Sequence, residues 1–198
     1  MNKAIKTILD KPLGGLSLMT ILTIIWAVIG ELNLKGKDDY VFGVFFSLIA
    51  LFFSSLYLYF NRVSKAFPKI EIVENPKKEK LYWIVFIAEG VAILLVKNIL
   101  VNIHQDELFI PCLALIVGVH FFPLAKVFDR KFDYFIGSFT TLIAIIGIIL
   151  SIKKSLPQNI INAFICFSCG FATTSYGLRM ISEAKKLVAE NERENASR

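Results

Sequence analysis

Glu89 and Lys97 stand inside residues 81–104 (LYWIVFIAEGVAILLVKNILVNIH), a stretch long and apolar enough to cross a bilayer. A charge at the bilayer centre costs about 3 kcal/mol even on lenient insertion scales, so such a group faces protein or water and usually has a task. The chemistry open to a buried carboxyl group is to take up a proton or to pair with a cation. At about 100° per residue, His104 falls about 60° and Lys97 about 80° round from Glu89. Asn98 and Asn102 take the opposite side, so this helix is expected at the centre of a bundle. Lys97 can also snorkel outward along its stem.

The second titratable candidate is His120, in GVHFFPLAK (residues 118–126). Pro123 lacks an N–H and clashes with the carbonyl of Val119, which frees a backbone acceptor beside the imidazole. At about 1.5 Å per residue from the basic side, Glu89 lies about 12 Å deep, His120 about 13 to 14 Å and Thr173 about 12 Å. Thr173 belongs to a stripe, Asn159, Asn162, Cys166, Cys169, Thr173, Tyr176 and Met180, spaced by threes and fours. Such a face belongs inside a bundle. Glu89, His120, Thr173 and Tyr176 are therefore expected to converge on one polar cavity, with Lys97, His104 and Asn162 as further ligand or proton-site candidates. The alternative is that His120 bonds a backbone carbonyl and serves packing alone.

Other chemistries lack parts. Cys166 and Cys169 form a CxxC, but no loop cysteine could relay electrons and Cys112 is also in a span, so the pair reads as small packing residues. His104 and His120 lie roughly 20 Å apart in depth, too far to share a metal or haem. No Walker loop, GxSxG or HExxH occurs. No catalytic residue, metal or cofactor is assigned, and the chain is not expected to be an enzyme.

The elements that must position these residues follow from composition. Of 198 residues 56% are hydrophobic and 18 are Phe, well above the usual apolar share of soluble domains. Spans need about 20 apolar residues each, and six fit: 15–34, 40–60, 81–104, 108–128, 132–152 and 157–181. The expected fold is an all-α integral membrane protein, a compact bundle of six transmembrane helices forming a single transmembrane domain over residues 1–198. Seventeen basic residues fall on the side that carries both termini and four on the other, which places both termini in the cytoplasm. Topology thus accounts for the net charge of +6, and no nucleic-acid partner is needed. The partners expected are the lipid bilayer and a small solute, ion or proton.

Along the chain, Thr20, Thr23, Ala27 and Gly30 form a narrow small face on the first span, and Glu31 closes it as an interfacial carboxylate in water. Gly43, Ser47, Ala50, Ser54, Tyr57 and Asn61 form a second stripe, read as packing, with Phe42, Phe45, Phe46, Phe52 and Phe53 mostly pointing elsewhere. Residues 61–80 read as a basic loop in which Pro68 and Pro76 discourage helix. Pro111, Ala114 and Gly118 make a small face on the fourth span. The fifth starts with Asp133 and continues with Gly137, Thr140, Ala144, Gly147 and Ser151, a packing stripe assigned no chemistry. Arg179, near the cytoplasmic mouth, is read as meeting lipid phosphate, and the charged tail as a frayed helix end.

GVHFFPLAK, with AEG (residues 88–90) on the neighbouring span, resembles short motifs of small multi-pass bacterial membrane proteins of unknown function. The resemblance implies no particular activity, and the richness in Phe, Ile and Lys is likewise compatible with a bacterial plasma membrane. Two functions compete: a transporter or channel-like protein with a proton-titratable core around Glu89 and His120, and a non-transporting factor for immunity, assembly or regulation in which the same groups lock helices together. An enzyme acting on lipid is a distant third.

Overall fold

In hydrocarbon every backbone N–H and C=O must be satisfied within its own segment, so apolar stretches of this length become helices. The computed structural model describes residues 3–67, 70–73 and 76–196. It contains six long helices: α1 (Asp10–Leu34), α2 (Val41–Ser64), α3 (Pro76–Asn102), α4 (Phe109–Phe128), α5 (Lys131–Ile152) and α6 (Gln158–Ala196). All six are long and apolar enough to cross a membrane. A 3-10 turn, Asp106–Leu108, joins α3 to α4.

Two elements depart from the sequence expectation. Lys3–Lys6 (β1) and Ile70–Val73 (β2) pair as a short antiparallel ribbon, with Lys3 opposite Val73 and Lys6 opposite Ile70. β2, in the segment expected to be a loop, is IEIV, whose β-branched residues favour a pleated strand. Pro76 opens α3, where its missing N–H costs nothing; Pro68 lies outside the described residues. The tail is no frayed end, because α6 continues to Ala196. At 39 residues it is about 58 Å long, nearly twice a hydrocarbon core.

α6 is the helix on which the others assemble. Its inner face packs along α1, where Thr20, Thr23, Ala27 and Gly30 are all buried. Phe46 and Phe53 of α2 insert over Gly170 and Gly177 of α6. This corrects the expectation for α2 in part: Ala50 of the small stripe is buried and Phe42, Phe45 and Phe52 are exposed, but Ser47 and Ser54 are exposed too, whereas Phe46, Phe53 and Phe60, seven residues apart, are buried. Glycines on α6 leave hollows that large rings fill, so the phenylalanine face is the one that packs. On α5, Gly137, Thr140, Ala144, Gly147 and Ser151 are buried as the stripe implied.

α3 was expected at the centre and is instead peripheral. It packs chiefly on α4, and Leu100 is its one buried residue. The amide of Asn98 donates to Leu94 O of its own helix at 2.7 Å, so this polar residue needs no neighbouring span. The interior goes to the helix with the deeper small and polar stripe, α6.

α4 and α5 cross with backbone close to backbone. A Cβ at Gly118 would meet the backbone of Thr141, 2.7 Å from its N and 3.0 Å from its Cα, whereas a Cβ at Gly90 on α3 meets nothing. Backbone cannot rotate aside, so Gly118→Ala should destabilise the bundle by roughly 1 to 3 kcal/mol. Gly90→Ala should be neutral or stabilising by up to about 1 kcal/mol through helix propensity. Melting of the two variants in the same detergent checks the order; equal midpoints would mean that α4 and α5 do not meet this closely.

Candidate functional site

Helix geometry brings Glu89 and His120 to one level, and the packing of α3 on α4 brings them into contact. His120 Nδ1 lies 3.1 Å from Glu89 Oε1. That is ion-pair distance, although the direction does not complete a hydrogen bond and Nδ1 has no aligned partner. Both side chains are largely shielded, 17% and 15% exposed, although α3, which carries Glu89, otherwise exposes its apolar surface. The imidazole stacks on Phe121 at 4.5 Å between ring centroids, which limits its rotation.

Thr173 and Tyr176 do not join this contact. The Thr173 hydroxyl lies 2.7 Å from that of Thr23, tying α6 to α1. Phe121 neighbours both rings, its centroid 4.5 Å from that of His120 and 6.2 Å from that of Tyr176. The Tyr176 hydroxyl accepts from Arg130 Nη1 at 2.8 Å. Asn162 donates to Asn33 Oδ1 at 3.1 Å and accepts from Gln158 at 3.0 Å, and Asn159 donates to Asn33 O at 3.3 Å. Lys97 is exposed on α3. His104 is exposed in the turn after α3 with φ 54°, a helix-terminating conformation far along α3 from Glu89.

Sequence reasoning missed Asp133. It is 1% exposed, at the first turn of α5, within electrostatic reach of Tyr176, Arg130, Arg179 and His120. Its Oδ1 has no hydrogen-bond partner. Asp129 adopts φ 53° and ends α4, and Arg130 N donates to Ala125 O at 3.0 Å, so the chain reverses within two residues and sets Arg130 and Asp133 against α6. The available signal was the spacing: Arg130 and Asp133 are three apart in a tight turn, and Tyr176 and Arg179 are three apart on one helical face. Thr140, seven residues beyond Asp133 on the same face of α5, also has an unpartnered buried hydroxyl.

Nothing matches the chain among protein-family models, curated proteins or solved structures. Among the described residues no three His, Cys, Asp or Glu side chains form a metal-binding group. Cys166 and Cys169 are free, buried thiols in a cluster with Trp26, Ala114 and Ala144. Glu31 is not simply in water: one carboxylate oxygen accepts the N–H of Gly43 at the start of α2, where a Cβ on residue 43 would collide with it. That carboxylate anchors the positive end of the α2 dipole. It also borders a cleft of about 560 Å³ between α1 and α2, lined by Ala27, Val28, Lys35 and Tyr40 among others.

The Asn33–Asn162 bond is an interhelical amide pair of the kind that holds transmembrane helices at modest strength. A double-mutant cycle of Asn33→Ala and Asn162→Ala should return a coupling of about 0.6 kcal/mol, and no more than about 1.7. Additive single effects would mean that the two amides do not meet in the membrane.

Proposed function

We propose that this multi-pass membrane protein moves protons, or a small solute coupled to them, with Glu89 and His120 as the titratable unit. The observation that carries the reading is the 3.1 Å approach of Glu89 Oε1 to His120 Nδ1 at membrane depth on two adjacent spans. A carboxyl and an imidazole at that distance can exchange a proton directly or hold it between them. Asp133, within electrostatic reach of His120, supplies a further acceptor at the start of α5. In this reading Phe121, stacked on the imidazole, holds the ring facing Glu89.

A second reading, a non-transporting membrane factor of the immunity, assembly or regulatory kind, draws on a different observation. Thr173 and Asn162 are engaged with α1, so much of the polar stripe of α6 serves packing. Both readings place the protein in a bacterial plasma membrane with both termini in the cytoplasm, in keeping with the basic bias of the terminal side. Cysteine labelling at Lys35 and Lys153 should then report outside, and at Lys65 inside.

Flux measurements in proteoliposomes decide between the readings. With a pH-sensitive dye enclosed, the wild-type chain should dissipate an imposed proton gradient, alone or on addition of a solute. Glu89→Gln should abolish that flux while the melting temperature changes little, since the amide keeps the shape of the side chain. Flux retained in Glu89→Gln would remove the pair from the mechanism. No flux by the wild type across ions, sugars and amines, with Glu89→Gln lowering the melting temperature, would favour the packing role.

A further inference from the structure

The face carrying both termini has an open pocket of about 460 Å³ lined by Lys11, Phe128, Arg130, Arg179, Ser182, Glu183 and Lys186. Its walls come from the start of α1, the α4–α5 turn and the part of α6 that runs on toward the tail, so it exists only in the folded bundle. We propose that this pocket binds a phosphate group, presented either by a lipid headgroup or by a soluble phosphate compound. The inference stands independently of whether Glu89 and His120 move protons.

The two guanidinium groups have donors that the acceptors around them, Tyr176 and the nearby Asp133, leave unused. Arg130 lies over the ring of Phe128 at 4.7 Å and Arg179 over that of Phe132 at 5.0 Å. An aromatic face supports the guanidinium plane while its in-plane N–H donors stay directed outward, the geometry that grips a phosphate in two-point fashion. Arg130 spends one donor on Tyr176. Arg179 Nη1 is buried and has no hydrogen-bond partner at all. Leaving a charged donor desolvated and unpaired is costly, which points to an occupant.

Charge and size agree. Among the described residues no salt bridge involves Lys11, Arg130 or Arg179, and Lys186 meets Glu190 only at 3.8 Å on the exposed flank of α6. Four cations face Glu183 and, behind the wall, Asp133. That surplus of positive charge suits an anion: a phosphomonoester carries about −1.5 to −2, and a phosphodiester headgroup a single negative charge. The Ser182 hydroxyl adds a neutral donor at the rim. Small-molecule sites run from roughly 300 to 1,000 Å³, so the pocket also has room for the group to which the phosphate is attached. Basic pockets between spans at the membrane surface are where anionic headgroups are held.

The test uses the chain in micelles of a maltoside detergent, which present no phosphate. Inorganic phosphate is titrated in one arm, and in the other phosphatidylglycerol or phosphatidylcholine is mixed into the micelles and co-purified lipid is counted by native mass spectrometry. Phosphate binding with neither lipid retained identifies a soluble source; retention of a lipid, displaced by added phosphate, identifies a headgroup. Either way Arg179→Gln and Lys186→Gln should each weaken binding about tenfold or more, as loss of a charge-assisted contact does, and Arg179→Lys should recover part of it. Lys185→Gln, outside the pocket on the same helix, should change nothing. Should Arg179→Gln fail to fold, the exposed Lys11→Gln and Lys186→Gln carry the comparison. Binding of neither probe, binding that survives the pocket substitutions, or an equal loss in Lys185→Gln would overturn the assignment.

Discussion

Close approach to α6 is the constraint on which the rest of the molecule depends. Lipid tails are as apolar as leucine, so no hydrophobic force selects which face of a span turns inward. What selects is contact area, and contact area requires backbones or large rings to come near. Gly170 and Gly177 let Phe46 and Phe53 sit against α6, and Gly147 lets Ile165 sit against α5. On the other side of α6, Thr20, Thr23, Ala27 and Gly30 let α1 run beside it. Once α1, α2 and α5 are placed on α6, α4 is placed by its glycine crossing with α5, and α3 takes the position that remains.

That order of assembly explains why the polar residues divide as they do. Groups on α6 find partners on α1, because those two helices are adjacent over most of the membrane: Thr173 with Thr23, Asn162 and Asn159 with Asn33. α3 has no such neighbour. Its Asn98 turns to its own backbone, and its one deep carboxylate, Glu89, meets the imidazole that α4 presents. α3 is joined to the bundle chiefly through α4, by the Glu89–His120 contact, the buried Leu100 and rings such as Tyr82 and Phe128.

The terminal face follows a different electrostatic logic. Asp133 is buried at the start of α5, where the helix dipole favours a negative charge, and Arg130 and Arg179 stand near it with Phe128 and Phe132 beneath their planes. One carboxylate between two guanidinium groups leaves positive charge over, and that surplus faces the pocket. The buried acid and the open basic mouth are thus two sides of one arrangement built by the α4–α5 turn.

Much of the architecture was legible in the residues alone. Six apolar stretches of bilayer length, with short turns between most of them, leave little choice but a six-helix membrane protein, because backbone hydrogen bonding in hydrocarbon admits no other way for such segments to cross. The common level of Glu89 and His120 followed from helical rise, and the inward faces of α1, α5 and α6 from spacings of three and four. Tertiary structure alone decided which neighbour each face meets. Serine or phenyl rings could equally have packed on α2, and only the glycine hollows of α6 chose the rings. The placing of α3 at the edge depended on how well the other five helices fit without it. Asp133 looked interfacial by position, at the first turn of its span. It became buried because α6, longer than the membrane is thick, carries Tyr176 and Arg179 across the top of it, a relation between distant segments that no local spacing encodes.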